Sequence, residues 1–416
     1  LYFLKTLFGL ILTKKGTVMI DDIKKLSQKY QSECAQFLCD LIATPSMSSF
    51  EKDVIDVIRK KMEAFQYDEI TVDPMGNLLG RIGKGKTVIA LDAHVDTVDV
   101  GNASLWKTDP FKGVIKDGVI YGRGASDMKG AVASIVFAGR MVKELGLADD
   151  FTLYVVCSVQ EEDCDGLCWQ YIVKEDKLRP DCVVITEPTN LGIYRGHRGR
   201  MEMEVRTQGL SCHGSMPERG VNAIYKMAPI IADIEKLNER LAVDPFLGKG
   251  TVTISAVWST SPSLCAVADS ATIHLDRRLT KGETMESAVK EVQDLPSVQR
   301  AGAEVVVLDY AVPSYRGLTY PTKKYYPTWL LDENHSAMKA GEETYRQLFN
   351  EAPRVSRWNF STNGVAIMGM HGIPCIGFGP ANEIHAHSPE DQCPIDHLGN
   401  AMSFYAAFPK FFVAKK

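Results

Sequence analysis

Thr87-Val-Ile-Ala-Leu-Asp-Ala-His-Val-Asp-Thr-Val98 is the stretch whose reading decides the fold. Its first half is a short apolar run of the kind that forms a buried strand, and it ends on His94 and Asp96. Two similar runs follow. Phe151 to Val159 leads into Glu161-Glu162, and Cys182 to Thr186 leads into Glu187. Between the first two, Lys129 to Leu145 (KGAVASIVFAGRMVKEL) has the spacing of an amphipathic helix with small residues on its packing side. Helical spacing also marks Asp21 to roughly Ala43 and Glu51 to Phe65. Strands alternating with helices predict an α/β domain with a largely parallel sheet. In such a sheet ligands bind beyond the carboxyl ends of the strands. Three strands thus deliver an imidazole and several carboxylates to one edge, where they repel one another unless cations neutralise them.

Further along, the texture changes near Met201. Met201 to Arg206, Thr251 to Val257 and Ala271 to Leu275 alternate with period two, while Val221 to Leu241 and Met285 to Leu295 are helical. Residues 202–313 therefore fit a four-stranded sheet with two helices, a βαββαβ insertion. From Tyr320 the α/β texture returns, with a helix at Ser336 to Phe349 and short strands at Val365–Met368 and Pro374–Gly377. The expected fold is α/β, a mixed and mainly parallel sheet flanked by helices. Its domain is discontinuous, 19–201 and 314–416, with an inserted α+β ferredoxin-like lid over 202–313.

The bulk properties agree. A chain of 416 residues exceeds one ordinary core, so two domains are expected. A net charge of -5 argues against nucleic acid as a partner. The ten cysteines form no secreted disulfide framework, which favours a reducing cytosol. Cys164 and Cys168 have no second pair at ligand spacing, so they read as thiols near a loop rather than half a zinc site. Leu1 to Leu12 (LYFLKTLFGLIL) is too short to span a bilayer and lacks a cleavage site. With Met19 opening a soluble segment, 1–18 reads as an extension, the alternative being an interfacial anchor.

Two more segments offer chemistry. Gly122-Arg-Gly-Ala-Ser-Asp-Met-Lys-Gly130 places Asp127 in a glycine-bearing loop just ahead of a helix, where its two oxygens are able to bridge two metals. Gly379-Pro-Ala-Asn-Glu-Ile-His-Ala-His-Ser-Pro-Glu-Asp391 offers His385 and His387. Singly each group has an ordinary explanation: a structural His, a solvated Glu-Glu pair, an Asp that caps a helix. Their joint placement at strand ends points to a site for one or two metal ions.

Taken together, His94-Val-Asp-Thr-Val98, Gly122 to Gly130, Glu161-Glu162, Thr186-Glu-Pro-Thr189 and Ala386-His-Ser-Pro-Glu-Asp391 resemble the di-zinc aminoacylase and carboxypeptidase family. Glutamate carboxypeptidase, succinyl-diaminopimelate desuccinylase and acetylornithine deacetylase belong to it. The resemblance spans nearly all of 20–412, with the motifs in order. Val159 to Tyr171, Ser211-Cys-His-Gly-Ser215 and Phe360-Ser-Thr-Asn-Gly364 look closest to its selenium-metabolism-linked hydrolase subgroup.

The resemblance implies a zinc-exopeptidase-like fold and two divalent cations, zinc with cobalt or manganese as alternatives. His94 and Glu187 would hold one ion, Glu162 and His387 the other, and Asp127 would bridge them. Asp96 would hydrogen-bond the second nitrogen of His94. Glu161 would be the general base, taking a proton from a bridging water and passing it to the leaving amine. His387 fits the family pattern better than His385, which would line the site or face solvent. A cis peptide is implied at Asp127–Met128. His213 would stabilise the oxyanion, often from the partner subunit, and Asn222, Arg278, Ser361 and Asn363 would meet substrate. Arg277, beside Arg278, leaves that assignment open, and an ordinary strand-end salt bridge is its alternative. Ser361-Thr-Asn-Gly364 departs from the Gly-Thr-Asp type loop of better-known relatives, which weakens a carboxypeptidase-like specificity. The expected activity is hydrolysis of a linear amide, an N-acyl amino acid or small peptide, in a cytoplasmic homodimer joined through 202–313, with no membrane partner. A carbamoyl-amino-acid amidohydrolase, or a non-catalytic metal-binding relative, is the alternative.

Overall fold

The computed structural model describes residues 2–416, with side chains from Met19 onward; the extension expected at 1–18 lies outside the described side chains. The chain opens on α1 (Tyr2–Ile42) and α2 (Lys52–Ala64). Strands β1 (Glu69–Val72), β2 (Leu78–Ile82) and β3 (Thr87–His94) follow. Next come α3 (Gly130–Glu144), β4 (Phe151–Ser158), α4 (Leu167–Lys174), β5 (Cys182–Ile185) and β6 (Ile193–Tyr194). The inserted unit runs β7 (Gly199–Gln208), α5 (Ala223–Arg240), β8 (Thr251–Thr260), β9 (Ser270–Leu279), α6 (Met285–Gln293), α7 (Pro296–Ala301) and β10 (Glu304–Val307). The chain returns through β11 (Tyr325–Tyr326), α8 (Ser336–Phe349), β12 (Val355–Ser356), β13 (Cys375–Gly377) and α9 (Ile395–Lys415).

The main sheet has the order β1-β2-β4-β3-β5-β13-β6-β12. Its centre is parallel: β3 pairs in parallel with both β4 and β5, and β5 with β13. These strands are buried almost throughout, as near-continuous Val, Ile, Leu and Cys runs should be when helices cover both faces. Helices α1, α3 and α9 pack on one another and contribute a large share of the core residues. Lys129 is buried ahead of α3, and its Nζ donates to the carbonyls of Leu41 and Thr44, both at 2.9 Å. It thereby satisfies acceptors at the end of α1 that have no intrahelical partner.

The insertion is a βαββαβ unit with sheet order β8-β9-β7-β10, wholly antiparallel. Its own core, around Met203, Val205, Ile230, Ile234, Ile273 and Val292, is separate from the main one. The alternation seen in the sequence is real: β9 buries every second residue beneath α5 and α6, and Thr272, His274, Asp276 and Arg278 occupy the other face. Two boundaries differ from expectation. The lid sheet begins at Gly199, and it borrows β11 from beyond the insertion to pair with β7.

One element is of the wrong type. Val365–Met368, expected as a strand, belongs to a helical turn over Val365–Met370. The Asn363 carbonyl accepts from Ala366 N and Ile367 N, at 3.0 and 3.1 Å. A short apolar run does not by itself separate a buried turn of helix from a strand.

Candidate metal centre

Parallel register builds the site. His94 stands opposite Ser158, and Asp92 opposite Ile185. Continuing the chain two residues past Ile185 brings Glu187 level with His94, and three residues past Ser158 brings Glu161 to the same rim. Beneath them Asp92 is buried and locks the floor. It accepts from Trp169 Nε1 at 2.8 Å, Asn363 Nδ2 at 3.0 Å and Ser158 Oγ at 3.1 Å.

Two groups of potential ligands result: His94, Asp127 and Glu187, and Asp127, Glu162 and His387. Within each, the ligand atoms lie within 4.8 Å of one another. His94 Nε2 is 3.0 Å from Asp127 Oδ1 and 3.5 Å from Glu187 Oε1. His387 Nε2 is 2.8 Å from Glu162 Oε2 and 3.2 Å from Asp127 Oδ2. Asp127 therefore offers one oxygen to each group. His94 Nδ1 must donate to the Asp96 carbonyl at 2.9 Å, which fixes the tautomer and leaves Nε2 facing the acids.

Two loops set the positions of Asp127 and the glutamates. Asp391 is fully buried and accepts from Gly124 N and Ser126 N, both at 2.7 Å, and from Arg123 Nη1 at 3.0 Å. It thus ties the Asp127 loop to the segment bearing His387. Gly124 has φ +85, and a Cβ there would meet Thr97 Cγ2 at 2.8 Å. The Asp127–Met128 peptide is cis. Gln160 (φ 56) and His387 (φ 55) occupy the left-handed region although neither is glycine, a cost that recurs at functional sites.

Electrostatically the acids are strained without cations. Burial pushes the Glu161 carboxyl well above its usual range, His94 opposing and Asp165, Glu187 and Glu162 adding to the rise. Burial likewise raises Glu187 to about 8 and Glu162 to about 7. Hydrogen bonds to Asp127 and Glu162 raise His387 to about 10. Glu161 Oε1, Glu162 Oε1 and Glu187 Oε2 are buried with no hydrogen-bond partner among the described residues. Orphaned carboxylate oxygens converging with two imidazoles are a donor set that suits divalent cations.

The ligand-group atoms open into a cavity of about 420 Å³. Besides Asp127, Glu161, Glu162, Glu187 and His387, it is lined by Asp165, Arg200, Arg278, Phe360, Ser361 and Glu383.

The expected site residues fall unevenly. Asp96 is buried beside His94, but its role differs. The bond to His94 comes from its backbone carbonyl, and its carboxylate lies 3.5 Å away. That carboxylate instead accepts from Glu161 N at 3.2 Å, Glu162 N at 3.0 Å and Ser48 Oγ at 2.7 Å, so it shapes the turn carrying the two glutamates. Arg278 reaches the cavity and pairs with Asp276, Nε to Oδ1 at 2.8 Å and Nη2 to Oδ2 at 3.0 Å. Arg277 is wholly buried in the lid and clamps Glu283 and Glu291. Ser361 lines the cavity and donates to Asp165.

Asn363 does not line the cavity. It is buried below, holding Asp92, Ser158 and Gly166 N. His213 and Asn222 are also away from it. His213 is exposed, its Nδ1 2.7 Å from Ser215 Oγ, and Asn222 Oδ1 caps α5 by accepting from Ile224 N at 2.9 Å. His385 lies against Gln392, Nε2 to Nε2 2.9 Å, outside both ligand groups. Cys164 and Cys168 are buried and belong to neither group, and all ten cysteines are free. Asp92, Asp165, Arg200 and Glu383 were missed in the sequence. Asp165 lies four residues past Glu161, Asp92 two before His94, and Glu383 in the loop that bears His385 and His387, whereas Arg200 carried no such signal.

Among the described residues no helix is long and apolar enough to cross a membrane. The sequence profile of peptidase family M20/M25/M40 matches residues 90–410. The chain is 51% identical over 392 residues to protein YgeY of Escherichia coli (strain K12), covering 94% of this chain and 97% of that one. In fold it is similar to aminopeptidase PepT from Bacillus cereus, with TM-score 0.70 and 20% identity over 92% of this chain and 99% of that one. It is also similar to an M20 family metallo-carboxypeptidase from Sulfolobus solfataricus, with TM-score 0.71 and 18% identity over 91% and 99%. A third similar structure is Bacillus subtilis YXEP, a dinuclear metal binding peptidase, with TM-score 0.68 and 14% identity over 93% and 99%. The chain belongs to peptidase family M20/M25/M40, and is thus a metal-dependent hydrolase acting on amide bonds.

Proposed function

We propose that this chain hydrolyses the linear amide of a small N-acyl amino acid or peptide, with two divalent cations, zinc foremost, held by its five clustered side chains. His94 and Glu187 would hold one ion and Glu162 and His387 the other, with Asp127 belonging to both ligand groups. The observation that carries this reading is the division of Asp127, Oδ1 toward His94 and Oδ2 toward His387. Bound there, such a pair of ions acidifies water and polarises a carbonyl.

The protein's own share is positional. Glu161 is buried, its Oε1 without a hydrogen-bond partner among the described residues and its Oε2 3.9 Å from His94 Nε2. Its place at the rim of the ligand groups suits it to take a proton from the attacking water and return it to the amine nitrogen that leaves. Asp96 holds the backbone of Glu161 and Glu162 so that neighbouring carboxylates take separate tasks. Arg278, on the lid side of the cavity, is suited to a substrate carboxylate. The exposed His213 supports the reading in which it serves the site of a second copy rather than its own.

Glu161→Gln tests the proposal. The variant should keep its metal and lose kcat by on the order of 10²–10⁴ on any amide the native enzyme cleaves. Undiminished turnover would remove Glu161 as the base.

A further inference from the structure

Among the described residues no hydrogen bond aims the Glu161 carboxylate. Oε1 is buried without a partner, and Oε2 stands 3.9 Å from His94 Nε2, beyond hydrogen-bond reach. Its neighbour Glu162, by contrast, lies 2.8 Å from His387 Nε2. The direction of Glu161 is therefore set through its backbone. Two acids hold the amides of that turn. Gln160 N donates to Glu51 Oε1 at 3.0 Å, and Glu161 N and Glu162 N donate to the two oxygens of Asp96. A third hold comes from the side chain of Gln160, which is wholly buried and left-handed (φ 56), a conformation that glycine takes without cost. Its Nε2 donates to Ser49 Oγ at 2.9 Å and to Tyr310 Oη at 3.1 Å. Ser49 Oγ donates onward to the Pro313 carbonyl at 2.9 Å, and Tyr310 Oη to Asp163 Oδ2 at 3.4 Å. One phenol thus meets the residues on both sides of the Glu161-Glu162 pair. Tyr310 belongs to the segment by which the chain leaves the lid. Asp309–Tyr310 pairs antiparallel with Thr322–Lys323, and Leu308 N donates to the Glu202 carbonyl of β7 at 3.1 Å.

We propose that Gln160 and Tyr310 are positioning residues for the base Glu161, locking the turn that carries it to the strand by which the chain leaves the lid. The inference rests on the amide-hydrolase reading above, with Glu161 as the base, and deepens it. Asp96, Glu161, Glu162 and Asp163 crowd four carboxyl groups into and under one turn, and their mutual repulsion works to open it. The neutral amide of Gln160 and the phenol of Tyr310 hold it shut. A carboxylate without hydrogen bonds of its own follows every small rotation of its backbone, and a misplacement of about 1 Å costs on the order of 10²-fold in rate. Glu162 keeps His387 whether or not the Gln160 amide is present. Loss of that amide therefore disturbs proton transfer and leaves the ligand groups and substrate binding in place. Because Leu308 and Tyr310 are fixed to the lid sheet and its return strand, the same contacts relate the place of the base to the place of the lid.

The experiment measures zinc content, kcat and KM of the zinc-loaded enzyme on a panel of dipeptides and N-acetylated amino acids. The variants are Gln160→Met, Tyr310→Phe, Glu161→Gln, and Gln160→Met combined with Glu161→Gln. Gln160→Met keeps the buried volume and removes both donors, and Tyr310→Phe removes a single hydroxyl. The expected kcat falls about tenfold to hundredfold for Gln160→Met and about threefold for Tyr310→Phe. KM stays within about twofold in both, and zinc per chain is unchanged. On Glu161→Gln, adding Gln160→Met lowers the residual kcat by less than about twofold, because a positioning residue has nothing left to position. Native kcat in Gln160→Met, a loss that repeats in full on Glu161→Gln, or zinc missing from Gln160→Met overturns the inference while the amide-hydrolase reading stands. If Gln160→Met fails to fold, Tyr310→Phe decides, and an unchanged kcat there overturns it. Undiminished turnover in Glu161→Gln, or no cleavage of any panel member by the unaltered enzyme, sinks the earlier reading and this inference with it.

Discussion

At Asp127 the two oxygens of one side chain stand 3.0 Å from His94 Nε2 and 3.2 Å from His387 Nε2, so its geometry makes two ligand groups out of five residues. The choice between His387 and His385 belongs to this scale. His387→Ala should lower metal content, whereas His385→Ala, which removes only a contact with Gln392, should leave it unchanged. Elemental analysis of the purified variants decides it, and the opposite pattern would exchange the two. Most ligand-group residues were legible because each follows a strand or opens a helix, where residue type and place reinforce each other. The finer roles were not. Nothing in the spacing of His94 and Asp96 says that a main-chain oxygen rather than the carboxylate meets the imidazole. Nor does the Arg277-Arg278 pair tell which guanidinium faces the cavity until strand alternation is fixed by the partners of β9.

Among elements, the parallel trio β4-β3-β5 was legible because buried parallel strands read as apolar runs. Val365–Met370 was not, for the same reason reversed: six mostly apolar residues suit a strand equally well, and hydrogen bonds to Asn363 decide the matter. That turn follows Thr362, whose backbone N donates to His197 Nε2 at 3.1 Å. His197 Nδ1 donates to the Arg198 carbonyl at 2.8 Å, so the ring is neutral and in a single tautomer. The Thr362 hydroxyl also lies 3.0 Å from Nε2, and the ring is wholly buried. Burial accordingly lowers its pKa from 6.5 to about 4. Because the folded value lies below the unfolded one, this contribution is complete above about pH 6.5. It is lost as pH falls toward 4, to the extent of about 3 kcal/mol. Urea unfolding at pH 7 and pH 4 should show the native protein losing about that much more stability than His197→Gln. Equal losses would mean that His197 is not held neutral.

Over the whole molecule, the lid ends in β8, an edge strand whose outer side is unpaired in the sheet order. Val257 and Trp258 on it are 62% and 51% exposed, and Leu264 in the loop that follows is also exposed. An apolar edge of this kind is a liability in a monomer and a natural seam for a second copy. The dimer expected from the sequence should therefore sediment as such, and Val257→Lys with Trp258→Lys should yield monomers. If the two copies share sites, mixing His213→Ala with Glu161→Gln chains should restore activity that neither variant has alone. A native protein that sediments as a monomer would dismiss both expectations. The fold's larger act is to bring His94 and His387, nearly three hundred residues apart, to one cavity. Metal content measures that most directly. Chains stripped with a chelator, then dialysed against zinc at neutral pH and analysed by plasma mass spectrometry, should hold two ions each, falling for Asp127→Ala. A stripped chain that takes up none, or an Asp127→Ala chain that still holds both, would contradict the account.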